Sequence, residues 1–342
     1  MMRDTIEVVV ATQWSRVLGV AAAHLDEDFF DAGGDSLLAA RLAVALRKAT
    51  GLPVDLGTVF EARTLRGISQ ALRTENESWG RLLTLAPDGA RAPLMLLPSG
   101  GGGVIGLNSL ASYPLDRPVY AATAKGLRPE EGEPFASLAE LVADFAALMT
   151  AAGLPRRLHL GGFCLGGNLA VELARRLLVE GWEVLSVNLF NTSLYAPPID
   201  PEELIRARLA GLVHSAGLTT DPEELRPEAV FELLSAHSPN GLVETDHAAF
   251  LARLRVAAML RHSISGHLPE PVAAPVRLFS APDRDDPEEV AAVGCRLPDW
   301  SELEFPDFAQ VDVSVGHHQM LHDEQVLKVI AASLVDCEEQ GS

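Results

Sequence analysis

The run Leu158-His159-Leu160-Gly161-Gly162-Phe163-Cys164-Leu165-Gly166-Gly167 constrains the fold more than any other part of the chain. A short apolar segment ends in paired glycines, one cysteine follows, two more glycines come after it, and a helical pattern runs over Asn168–Leu178. Glycine at these places permits a turn too tight for a side chain and a helix packed close against its strand. The unit is strand, sharp turn, helix, with Cys164 exposed at a helix N-terminus, a setting that favours the reactive thiolate. A free Cys is more often a small buried hydrophobe, but this context favours the reactive reading.

Around this unit, short β runs alternate with amphipathic helices. The strands are expected at Leu94–Leu97, Pro118–Ala121, Leu158–Gly161, Val184–Phe190, Val276–Ser280 and Val311–Val315, with helices over Ala136–Ala151, Gly167–Leu178 and Glu324–Val335. Such alternation predicts a mostly parallel α/β sheet covered on both faces. The interval from about 196 to 270 is helical in period and lacks a strand signal, as a helical lid would be. Residues 1–73 read differently: Ile6, Val10, Trp14, Val17 and Leu18, then Leu37, Leu38, Leu42, Ala45 and Leu46, then Val59, Phe60, Leu65, Ile68 and Leu72 recur at helical spacing. This predicts a small helical bundle, near the lower size limit for an independent core. The polar stretch 74–90 reads as a linker, leaving 91–342 as the second domain.

Charge supports the division. Residues 1–73 carry nine acids and eight bases, whereas the rest carries 38 acids and 19 bases. The formal net charge of −20 argues against a nucleic-acid or anionic-membrane partner. Cys164, Cys295 and Cys337 are too few and too scattered for a disulfide framework and suit a reducing compartment. The N-terminus has no signal-peptide core, and no stretch approaches the ~18 apolar residues of a membrane span. A soluble, cytoplasmic protein is expected.

In the first segment, Asp28-Phe29-Phe30-Asp31-Ala32-Gly33-Gly34-Asp35-Ser36-Leu37-Leu38 joins a loop to a helix. Ser36 sits where the positive end of the helix dipole favours an attached phosphate; the plainer reading is a helix N-cap. The whole string resembles the phosphopantetheine attachment motif of peptidyl carrier domains, and Val59-Phe60-Glu61-Ala62-Arg63-Thr64-Leu65 is similar to the approach to their last helix. The resemblance implies a small four-helix-bundle carrier domain over 1–73 with 4′-phosphopantetheine on Ser36, placed there by a phosphopantetheinyl transferase.

In the second, Gly-x-Cys-x-Gly has the form of the nucleophile elbow with Cys in place of Ser. Gly316-His317-His318-Gln319-Met320-Leu321 follows the last β run, where an α/β-hydrolase keeps its histidine. Residues 91–336 resemble the type I thioesterases that end nonribosomal peptide and polyketide assembly lines, whose His-x-x-Met/Leu-Leu pattern His317, Met320 and Leu321 match; His318 is the alternative base. The implied fold is the α/β-hydrolase fold with a helical lid. The acid of these enzymes falls on Asn191, in Leu189-Phe190-Asn191-Thr192. Asn orients an imidazole without offsetting its charge, which suits a Cys nucleophile better than a Ser, as in Cys-His-Asn proteases. The alternatives are Asp283 and Asp285, after a later strand. The oxyanion hole is expected from the backbone N–H of Leu165 and of Ser99, or Gly100, in Pro98-Ser99-Gly100-Gly101-Gly102-Gly103. His318 and His322 stand four apart like zinc ligands, but no third ligand is evident and no metal is expected.

The order, carrier then thioesterase, resembles the termination module of a nonribosomal peptide synthetase. It implies a peptidyl thioester substrate loaded by upstream synthetase domains, transfer from Ser36 to Cys164, and release. Cysteine-bearing members, such as the sulfazecin-type, close β-lactam or β-lactone rings, so strained-ring closure is expected, with β-lactam favoured. The rivals are hydrolysis or macrocyclisation, a non-catalytic docking module, and a metal hydrolase.

Overall fold

The computed structural model describes residues 5–19, 25–50, 54, 56–77, 81–104, 107–127, 131–194, 198–215, 218–219, 221, 225–237, 247–282 and 299–340. The chain divides into two compact units, Met1–Gly80 with Arg206–Leu251, and Arg81–Ile205 with Ala252–Ser342. Among the described residues no helix is long and apolar enough to cross a membrane.

The first unit begins with α1 (Thr5–Leu18), α2 (Ser36–Thr50), α3 (Leu56–Ala62) and α4 (Leu65–Glu77). Their shared core gathers Val10, Trp14, Phe29, Leu42, Leu46, Val59, Leu65, Ile68 and Leu72. Trp14 meets Phe29 edge-on at 5.0 Å between ring centroids, a geometry in which the positive ring edge faces the negative ring face. Not every apolar residue expected in this core joins it. Leu37 is 47% and Phe60 38% exposed. Leu37 is adjacent to Leu38, and one helix face cannot bury both; Phe60 instead stacks on Phe30 at 4.9 Å.

The second unit is built on a seven-stranded sheet in the order β1-β3-β2-β4-β5-β6-β7. The strands are β1 (Leu82–Ala86), β2 (Leu94–Leu97), β3 (Val119–Ala122), β4 (Arg157–Phe163), β5 (Glu183–Phe190), β6 (Val276–Ser280) and β7 (Phe308–Asp312). All neighbours pair parallel except β1, which runs antiparallel to β3 at one edge. The interval expected to be linker therefore needs correction: it contains the end of α4 and the whole of β1. The last strand also lies three residues earlier than its Val311-x-Val313-x-Val315 alternation predicts. All three valines pack partly buried against one sheet-face core, Val311 within the strand and Val313 and Val315 beyond its end.

The remaining described α-helices of the chain are α5 (Asn108–Ser112), α6 (Leu138–Ala151), α7 (Leu165–Val179), α8 (Pro201–Ser215), α9 (Pro227–His237), α10 (His247–Ile264) and α11 (Glu324–Gln340), of which α9 and most of α8 fall in the first unit. The sheet separates two apolar cores. One gathers α6, α7 and the end of α10, including Phe145, Leu169, Val256, Leu260 and Ile264. The other holds α5 and α11, including Leu110, Ile330 and Leu334. The interval 196–270 contributes α8, α9 and α10 and no strand among its described residues.

At the end of the sheet where β4 begins, α11 is anchored by a buried charge cluster. The Arg117 side chain is fully buried, donates to Ala92 O at 2.7 Å and lies 3.3 Å from Glu338 Oε2. Arg157 approaches the other Glu338 oxygen at 3.5 Å. Burial, aided by Arg117 and Arg157, pushes His159 down to about 3, so it is neutral in the fold; its Nδ1 meets Ser186 Oγ at 2.7 Å. Glu338 is thus the carboxylate that offsets Arg117. Removing one partner of a buried ion pair strands the other charge. Glu338→Gln is expected to destabilise the second unit by about 3–5 kcal/mol, read as a lower urea midpoint.

Candidate active site

The carboxyl ends of β4, β5 and β6 converge, the place where open α/β sheets keep their sites. Cys164 follows β4 and is the residue before α7. Its backbone has φ 54° and ψ −123°, a region costly for any residue with a Cβ. The surrounding contacts hold it there. Cys164 N–H donates to Phe190 O at 2.8 Å, and Gly167 N–H donates back to Cys164 O at 3.2 Å. The glycines leave no alternative. A Cβ on Gly162 would strike the Gly166 backbone, one on Gly166 would lie 2.7 Å from Pro98 O, and one on Gly167 would strike Thr192. The Cys164 side chain is half-buried, and the thiol is free of any disulfide.

Asn191 ends β5 with φ 48°, a left-handed conformation Asn tolerates better than most residues. Its N–H donates to Phe279 O at 2.8 Å, tying it to β6. Its side chain is buried and spans two partners: Oδ1 accepts from Ala281 N–H at 2.9 Å, and Nδ2 lies 2.5 Å from His317 Nδ1. Next to it, Thr192 O accepts from the buried Trp300 indole at 2.8 Å.

His317 opens a 3-10 turn, His317–Gln319, after Gly316. Met320 and Leu321 are buried in the second core and pin this loop, while Met320 N–H donates to Gly316 O at 3.1 Å. That anchoring is the physical content of the His-x-x-Met-Leu pattern. The His317 ring lies 4.4 Å from that of Phe163, next to Cys164 in sequence. The structure thus brings Asn191 and His317 into contact beside the elbow. Asp283 and Asp285 lie outside the described residues, as does the side chain of His318.

Of the two expected oxyanion donors from the first loop, Ser99 is already engaged: its N–H donates to Gly103 O at 3.3 Å. Gly100 lies beside the elbow, where a Cβ would sit 3.9 Å from Leu165 Cβ. Gly102, at φ 80°, lets the loop turn and its carbonyl accept from Ala124 N–H at 2.8 Å. Among the described residues no three His, Cys, Asp or Glu side chains gather as a metal site. His322 Nδ1 instead lies 2.8 Å from Ser109 Oγ, and burial pushes its pKa down.

In the first unit, Asp35 caps α2, its Oδ1 accepting from Leu38 N–H at 2.8 Å. Ser36 is therefore the first helical residue and not the cap, and it is exposed. Gly34 fits because a Cβ there would strike the Phe29 ring. An exposed hydroxyl at a helix N-terminus, relieved of capping, fits a phosphodiester-linked arm.

Two family matches bear on this geometry. Residues 8–72 match the phosphopantetheine attachment site model, and residues 92–334 match the thioesterase domain model. The chain belongs to the thioesterase-domain family. Its N-terminal part is a phosphopantetheine attachment domain, so the cofactor is 4′-phosphopantetheine. A dimodular nonribosomal peptide synthase of Bacillus subtilis (strain 168) is 26% identical over 97% of this chain and 14% of its own length. Malpinin synthetase of Mortierella alpina is 31% identical over 59% of this chain and 3% of its own. The chain thus spans a small fraction of these curated relatives. Among solved structures, a holo four-domain nonribosomal peptide synthetase bound to AMP and glycine aligns with TM-score 0.61 at 22% identity, over 98% of this chain and 26% of that one. The NocB thioesterase domain in covalent complex with a fluorophosphonate nocardicin G analog aligns with TM-score 0.51 at 22% identity, over 75% and 99%. At these identities the likeness speaks for the shared fold of the thioesterase domain, an α/β-hydrolase-like sheet between helices.

Sequence reasoning missed Ala281, whose backbone N–H holds the Asn191 side chain. A main-chain donor has no residue signature, so only the geometry could find it.

Proposed function

We propose that this carrier–thioesterase pair releases an acyl or peptidyl chain from a nonribosomal peptide assembly line by way of a Cys164 thioester. The observation that carries the reading is the Asn191–His317 contact beside a cysteine held at the tip of the elbow. The pantetheine arm supplies a thiol that holds the chain as a thioester, with Ser36 as its attachment point. The Cys164 sulfur attacks that carbonyl carbon, the C–S bond to the arm breaks as the new C–S bond forms, and the arm leaves as its thiol, with His317 as the hydrogen-bonding partner of the Cys164 sulfur. Charge on the carbonyl oxygen is met by the N–H groups of Leu165 and Gly100, the second in place of Ser99, whose N–H is engaged. Upstream synthetase modules load the chain, and a phosphopantetheinyl transferase installs the arm.

A sulfur nucleophile keeps the chain at thioester energy, where a serine would lower it to an ester. That retained driving force suits closure of a strained four-membered ring, and we favour a β-lactam over a β-lactone. The test is to prepare the holo protein, load candidate peptides and weigh the released products. A product one water lighter than the linear acid, absent with Cys164→Ala, supports the reading. Linear acid alone from wild type leaves chain release but rejects ring closure. Equal release by wild type and Cys164→Ala rejects both.

A further inference from the structure

We infer that Asn191 fixes the His317 proton on Nε2, so that the site donates a hydrogen bond to the Cys164 sulfur and discharges its acyl chain to an amine in preference to water. The inference rests on the reading of Cys164 as the acyl carrier.

The argument begins with a donor that cannot reverse. Ala281 N–H only donates, and it lies 2.9 Å from one end of the Asn191 side-chain amide. That end must be the oxygen, since turning the amide over would set N–H against N–H in a buried place. The NH2 end is then the one that faces His317 Nδ1, at 2.5 Å. An NH2 group only donates, so Nδ1 must offer its lone pair. A neutral imidazole with Nδ1 unprotonated carries its proton on Nε2. The doubly protonated ring is disfavoured for the same reason, because its Nδ1–H would oppose the amide hydrogens. An aspartate here would accept from both Ala281 N–H and Nδ1–H, and would leave Nε2 free as a base.

Two chemical consequences follow. In the first half-reaction, His317 does not take the thiol proton; that proton passes by way of solvent to the departing arm sulfur, while Nε2–H donates to Sγ. In the second, the nucleophile must bring its own lone pair. An uncharged amine attacks the thioester carbonyl carbon, the C–N bond forms and the C–S bond breaks. The bonding pair stays on Sγ, where Nε2–H again donates to it, and the surplus ammonium proton passes to solvent. Water is too weak a nucleophile without a base, and this tautomer offers none. The substrate class is therefore a chain bearing a free amine, placed on the β-carbon of its terminal residue for the four-membered ring favoured above, which reacts from its uncharged fraction.

Two readouts on the full chain test this. In 15N-histidine NMR, with the His317 signals assigned by their loss in His317→Gln, Nδ1 should be unprotonated in wild type and protonated in Asn191→Asp. In the second, Cys164 is acylated with hexanoyl-N-acetylcysteamine thioester, and deacylation is followed with and without benzylamine. Wild type should yield mainly N-benzylhexanamide, and Asn191→Asp should hydrolyse its acyl-enzyme about 10²-fold faster and shift to hexanoic acid. A protonated Nδ1 in wild type, or the same product ratio in both proteins, overturns the inference. Absence of any hexanoyl adduct on Cys164 overturns the proposed function instead, and the NMR result still decides the tautomer.

Discussion

Cys164→Ser is expected to lose about 10⁴-fold in chain release, although serine is the residue most hydrolases place at this elbow. A hydroxyl is a poor nucleophile until a base takes its proton, whereas a thiol ionises within reach of neutral pH. With its proton held on Nε2, His317 cannot be that base. The comparable Asp-to-Asn change in a serine protease keeps the geometry and loses about 10⁴ through the wrong tautomer. The discriminating variant is therefore the double one. Cys164→Ser with Asn191→Asp should regain at least about 10² of the loss, because the carboxylate accepts from both Ala281 N–H and Nδ1–H. Single-turnover rates for the four proteins, wild type, each single and the double, give the coupling directly. Within tenfold of wild-type rate for Cys164→Ser alone, the matched pairing of Cys164 with Asn191 would be wrong.

Ser36→Ala should abolish carrier loading altogether. Treated with a phosphopantetheinyl transferase and coenzyme A, wild type should gain one pantetheine arm by intact mass and the variant none. The substitution leaves the Asp35 cap to Leu38 N–H in place, so α2 should keep its stability. A soluble N-acetylcysteamine thioester should still acylate Cys164 in the variant, which separates loss of delivery from loss of the thioesterase site. An arm on Ser36→Ala would move the attachment point elsewhere.

Much of this architecture was readable from residue order because the signals were local. The elbow glycines sit where a Cβ would strike a close neighbour, the Gly166 backbone for Gly162, the Pro98 carbonyl for Gly166 and the Thr192 side chain for Gly167, and the Met320–Leu321 pair that anchors His317 is apolar where the loop must be pinned. The central strands β2, β4, β5 and β6 are buried runs bounded by glycine or proline. The edges were less legible. β1 is a five-residue strand flanked by polar turns, and its partner β3 is distant in sequence, so it looked like linker. β7 is largely exposed, so its apolar pattern is weak and the alternation that starts at Val311 and runs past its end to Val315 is stronger. At the site, Cys164 stands out by the elbow pattern and Asn191 and His317 by resemblance to the thioesterases, and the structure brings the latter two into contact. What Asn191 does to His317 could not be read from residue order, because it depends on a main-chain N–H at Ala281. The donor loop failed in the same way: Ser99 and Gly100 differ only in which N–H the loop's own turn consumes.

The most direct test of the account is the site of covalent attachment. Incubate the holo protein with a loaded chain, quench in acid, digest, and locate the acyl group by mass spectrometry. The account predicts an acyl thioester on the peptide containing Cys164, labile to hydroxylamine and absent in Cys164→Ala. Full turnover with the acyl group found elsewhere, or undiminished release after the thiol is removed, would contradict it.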